Sequence, residues 1–173
     1  MRFFTPEWHE ADLPQAETDA VFSAYERHLN AIWPRLHATV RVLAGGLNLQ
    51  NALIRRVVLD RTARELRLEL RAGDEEAGFY DVDLTYLGAI VDAADVALLA
   101  EAARDPDTEL LYDELDLSGG AGGAEAYLHR LLFWPYRECE VLFDALALRL
   151  APRGDLDVPV LFDRFVEVGQ QAG

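Results

Sequence analysis

The 173-residue sequence predicts an α+β fold, with N-terminal helices packed on a mostly antiparallel sheet of five or six strands. Three observations carry that expectation. Apolar residues recur at helical spacing up to Gly46, the period shortens to two from Leu53 onward, and turn-forming residues separate the alternating runs. With 51% of residues apolar, the chain has the material for one buried core. Residues 1–46 read as a helical segment, 47–152 as a β-rich core with one inserted helix at 93–104, and 153–173 as a tail, all within one structural domain.

The elements follow in order. Residues 2–4 read as an extended piece, after which Thr5 caps a helix and Pro6 occupies its first position, where a missing N–H costs nothing. Asp12-Leu13-Pro14 interrupts it. A second helix over 17–33 places Val21, Phe22, Tyr25, Leu29 and Ile32 on one face, and Pro34 breaks or kinks it. Residues 35–44 continue as helix until Gly45-Gly46. Residues 53–60 and 65–71 form a hairpin, followed by a strand carrying Tyr80, Val82, Leu84 and Tyr86 on its apolar face. Asp92 caps the helix that Asp105-Pro106-Asp107 ends. Strands at 109–117 and 125–134 flank a glycine-rich connector. In a long strand at 138–150 the apolar positions change from odd to even, which a bulge near Asp144 would reconcile. Residues 158–168 read either as a short helix or as an edge strand, apolar enough to need a partner.

Composition excludes several chemistries. The chain has no lysine, so a P-loop lysine, a Schiff-base lysine and a Ser–Lys dyad are all ruled out. Its serines, Ser23 and Ser118, lie outside any G-x-S-x-G context. The glycine run after Ser118 lacks the residues of a phosphate loop. Cys139 is the single cysteine, which excludes an intrachain disulfide and a thiolate zinc cage. No apolar signal core opens the chain, and a cytoplasmic location is expected.

The net charge of −15 is concentrated: residues 73–116 carry 14 acids against Arg104 alone. Such a chain repels nucleic acid and acidic membranes and attracts a basic protein, or else uses its acids for solubility alone. The residues expected to meet a basic partner are Asp74, Glu75, Glu76, Asp81, Asp83, Asp113 and Glu114. The same acids lack the ligand order of an EF-hand loop, and no motif implies a metal or a cofactor.

One constellation stands apart. Alternation places Asp113 on the apolar face of Leu111, Leu115 and Leu117, and His129 on that of Tyr127, Leu131 and Phe133. On neighbouring strands these two could pair structurally. With Glu138 or Glu140 they could instead perform acid–base or metal-assisted work. Cys139 beside His129 reads as inert core rather than as a dyad. His9-Glu10 lacks the second histidine of a zincin helix, and His28 and His37 share no predictable face.

The segments Leu49-Gln50-Asn51-Ala52, Leu66-x-Leu-x-Leu70, Gly78-Phe79-Tyr80, Leu111-Tyr112-Asp113-Glu114 and His129-Arg130-Leu131-Leu132-Phe133 together resemble small uncharacterised bacterial domain families over residues 49–146. Those families show a Leu-His-Asp-Ala, Tyr-Asp-Glu and His-x-x-Leu-Phe pattern, and Gln50-Asn51 stands here in place of their His-Asp. The resemblance implies an accessory or immunity-type binding protein and imports no activity. The expected function is therefore a non-enzymatic protein-binding module of immunity or antitoxin type, with an acid–base enzyme centred on Asp113 and His129 as the alternative. A homodimer through residues 158–168 is a third arrangement that the sequence allows.

Overall fold

In the computed structural model, the protein is described over residues 1–11, 13–74, 78–119 and 125–152. Glu75, Glu76 and the tail, including the 158–168 segment, lie outside them. The helices are α1 (Pro6–Glu10), α2 (Gln15–Ile32), α3 (Ala38–Gly46) and α4 (Ala93–Ala102), with a 3-10 turn at Trp33–Arg35 between α2 and α3. The strands are β1 (Ala52–Asp60), β2 (Glu65–Asp74), β3 (Gly78–Leu87), β4 (Glu109–Gly119), β5 (Glu125–Phe133), β6 (Arg137–Phe143) and β7 (Ala145–Pro152). No described helix is long and apolar enough to cross a membrane.

The fold is α+β, but the sheet has seven strands rather than five or six, in the order β6-β5-β4-β1-β2-β3-β7, antiparallel throughout. The extra strand comes from the phase change at Asp144. Instead of a bulge within one strand, Phe143 pairs with Tyr127 on β5 while Ala145 pairs with Leu87 on β3. The two edges of the sheet are thus one chain interrupted by a single residue, and the sheet must curl until they meet. At the opposite corner β1 touches β4 only through Ala52↔Leu110 and Leu53↔Glu109. The β4-β5-β6 half and the β1-β2-β3-β7 half therefore face each other across a common core. Leu66, Leu68, Leu84, Leu131, Val141 and Phe143 in that core are 0–1% exposed.

Residues 2–4 form no strand. Their amides are spent elsewhere: the Arg2 N–H donates to Glu114 Oε2 at 2.8 Å, and the Phe3 and Phe4 N–H groups donate to Oε1 at 2.6 and 2.7 Å. This arm, with α1, lies over the outer face of β4, and α2 runs along the edge of β4 that β1 leaves unpaired, where the Leu115 N–H donates to the Tyr25 hydroxyl at 2.8 Å.

The closing corner is tied by backbone and by charge. The Asp144 N–H donates to Leu87 O at 2.9 Å, and Arg64 Nη2 donates to Gly88 O at 2.6 Å while lying 3.8 Å from the Asp144 carboxylate. Gly88 has φ +68°, and a Cβ there would sit 2.0 Å from Asp144 Oδ2. Gly88→Ala combines left-handed strain with that clash and is expected to cost at least about 2 kcal/mol. A urea unfolding midpoint unchanged by Gly88→Ala would show that the corner tolerates a side chain.

Candidate functional site

The register of β4 and β5 decides which way Asp113 points. A register shift between Leu110 and Tyr112 takes up one residue, after which Asp113 lies opposite Leu131 and Leu115 opposite His129, all on the inner face. His129 is 0% exposed. Its Nε2 lies 3.0 Å from Asp113 Oδ2, and its Nδ1 lies 2.8 Å from the Tyr86 hydroxyl, which reaches across the core from β3. Burial pushes the Tyr86 phenol well above its ordinary value, and the nearby Asp113 charge adds to the effect. The phenol therefore keeps its proton and donates it to Nδ1. The ring proton is left on Nε2, which donates to Asp113. The two buried polar side chains, Tyr86 and His129, are satisfied in this way.

The chain of hydrogen bonds has one accessible end. Tyr86 is sealed in the core, whereas the Asp113 side chain is 20% exposed. Asp113 faces a cavity of about 280 Å³ between α2, α3 and β4. Phe4, Phe22, Tyr25 and Tyr112 form its aromatic wall, and Asn48 and Gln50 lie at the polar side. Phe4 is the keystone of that wall, with ring centroids 5.0 Å from Tyr112, 5.1 Å from Tyr25 and 5.2 Å from Phe22. The Tyr25 phenol is likewise pushed up, first by burial and then by the charge of Asp113. A fixed carboxylate beside aromatic rings attracts a cation.

The other expected site residues take different places. Glu138 pairs with the Met1 amine, and Glu140 accepts from Arg130 Nε at 2.9 Å. Both lie on the outer face, opposite Leu132 and Arg130, and do not join Asp113 and His129. Glu114 is 1% exposed and holds the N-terminal arm. Asp83 pairs with Arg67 at 3.0 Å and stands opposite Arg149, while Asp81 stands opposite Arg71. Asp74 is exposed at the end of β2. Burial raises the Cys139 thiol far above its ordinary value, so it stays protonated and inert. His9 packs on Tyr136 and Tyr112, and His28 lies 3.2 Å from Asp116 and stacks on Tyr25; neither is among the cavity's lining residues. Among the described residues no three His, Cys, Asp or Glu side chains converge to hold a metal ion.

Tyr86, Tyr25 and Gln50 complete the site without having been expected there. Tyr86 carried a weak signal, one of two hydroxyls, with Tyr80, on the apolar face of its strand. Gln50 arrives because the Asn51 N–H donates to Leu110 O at 2.7 Å, which joins the 49–52 and 110–114 segments at the cavity. Comparison with protein-family models, curated proteins and solved structures finds no match.

Two expectations follow from this geometry. Glu114→Ala leaves the Arg2, Phe3 and Phe4 amides without their acceptor and is expected to cost about 3 kcal/mol. It should also quench the protection of those amides in hydrogen exchange; protection that persists would mean that another acceptor holds the arm. The second expectation concerns alkaline pH. Above 10.0, the ordinary phenol value, the unfolded chain loses protons that native Tyr86 and Tyr25 retain, so stability should fall as pH rises toward their higher native values. No lysine titrates in that window, and Tyr80, Tyr112 and Cys139, whose native values are also raised by burial, add to the same fall. Tyr86→Phe should flatten the fall in urea midpoint, at the expense of about 1–3 kcal/mol at neutral pH from the orphaned His129 Nδ1.

Proposed function

We propose that the chain is a cytoplasmic, non-enzymatic binding module of immunity or antitoxin type, and that it takes a basic protein through the Asp113 cavity. One observation supports this reading above the rest: the Asp113 carboxylate, anchored by His129, lies at an aromatic-walled hollow with no arginine among its described lining residues. A guanidinium or ammonium group entering there meets both an anion and ring faces. The outer acids serve a different range. Asp81 and Asp83 face arginines across the sheet, so they add to the overall field more than to any single contact.

The acid–base reading keeps the hydrogen-bonded Asp113–His129 pair in its favour. It is the weaker of the two because the proton path runs from Asp113 into a sealed phenol and not toward a second open group. Glu138 and Glu140, the further acids it called on, point to the other face.

Calorimetric titration with acetyl-arginine amide tests the binding reading. Asp113→Asn, which keeps the shape and removes the charge, should weaken binding by about tenfold to a hundredfold. Raising the salt concentration should weaken it as well. Binding that ignores both the substitution and the salt would overturn the proposal.

A further inference from the structure

The occupant's shape is written on α2. This helix runs for 18 residues, yet Ile32 is its one buried residue. Phe22 is 44% exposed, although its ring edge packs on Phe4 and on Trp8 at centroid distances of 5.2 and 5.7 Å. Phe22 and Tyr25 line the Asp113 cavity and also a shallow second hollow of about 490 Å³ along α2. That second hollow carries Asp19 and Glu26 beside the apolar Leu29, and the nearest described arginine contact is Arg27, whose Nε donates to the Ser23 backbone at 3.2 Å. The two hollows therefore adjoin at a pair of aromatic rings, and each is lined by carboxylates. A free cation in the cavity would leave Phe22 wet, whereas a peptide would not.

Resting on the binding reading above, we infer that the partner presents a peptide segment in which a basic side chain enters the Asp113 cavity and an adjacent large apolar side chain covers Phe22 on α2. The charge complements Asp113, Asp19 and Glu26, and the apolar neighbour removes from water a ring that the fold leaves exposed. Such an arrangement makes the arginine select and the apolar residue hold, a division in which anchors sit in pockets and the rim is polar.

Fluorescence anisotropy on the full chain, with a short labelled peptide pairing Arg with Leu, tests this against acetyl-arginine amide as competitor. The peptide is expected to bind about tenfold or more tightly than the amide, the gain of burying one leucine against Phe22. Replacing the peptide's Leu by Ser should remove that gain, and citrulline in place of Arg should abolish binding. Phe22→Ser should bring the ratio of peptide to amide affinity toward one; the peptide substitutions keep the test decisive if that variant is poorly folded. Peptide and amide of equal affinity, both sensitive to Asp113→Asn, would overturn the α2 contact and leave the cavity reading standing. A gain that appears only after residues 158–168 are made polar, or only in a dimer-free sample, would assign the α2 face to the chain's own tail or to a second copy and would equally overturn the inference. If neither ligand binds, the cavity reading falls with it.

Discussion

Everything in this fold depends on the single residue between β6 and β7. Because Phe143 must pair on one edge of the sheet and Ala145 on the other, a flat seven-stranded sheet is unavailable to this chain. The curl turns the Leu66, Leu68 and Leu70 row of β2 and its partners toward the β4-β5-β6 half, producing a core enclosed on both sides. Sheet edges are a liability when left open, since their unpaired groups invite other chains. Here the corner hydrogen bond from Asp144 to Leu87, with Arg64 and Gly88 beside it, joins the two edges to each other.

The same curl makes the polar chain necessary. It places Tyr86 of β3 opposite His129 of β5 inside an apolar volume, where either group unpaired would be costly. Their mutual hydrogen bond resolves that cost and crosses the core between the two halves. Asp113 accepts the remaining ring proton, and so its carboxylate is held at the cavity by a contact that no solvent reaches. On the far side of β4, Glu114 grips the N-terminal arm, and that arm supplies Phe4 to the cavity wall. Two consecutive acids thus build one site from opposite faces of one strand.

Alternation made much of this legible. The period-two runs of 65–71, 80–86 and 125–133 gave the correct inner faces, and the pairing of Asp113 with His129 follows from where each sits in its run. The phase change at Asp144 was visible too. What it meant was not, because a bulge and a change of strand partner leave the same trace in one sequence. Tyr86 escaped for a related reason: contact across a curled sheet is set by three-dimensional closure, not by neighbouring register. Glu114 misled because alternation assigns it to the face opposite Asp113, which is wet only where no helix or arm lies over it.

The acidic segment shows why a charge count does not identify a surface. Within 73–116 the sheet residues Asp81 and Asp83 face Arg71 and Arg149, so their contribution is largely cancelled at short range. Asp113 and Glu114 are turned inward to a cavity and to an arm. The exposed acids of this segment include Asp92, Asp105 and Asp107 about the ends of α4. Their field acts at distances near a Debye length, where it gathers cations without choosing among them. Choice requires a place where water is excluded and one charge is fixed in position. In this fold that place is made by His129, which no cation can touch and without which Asp113 would have no defined direction.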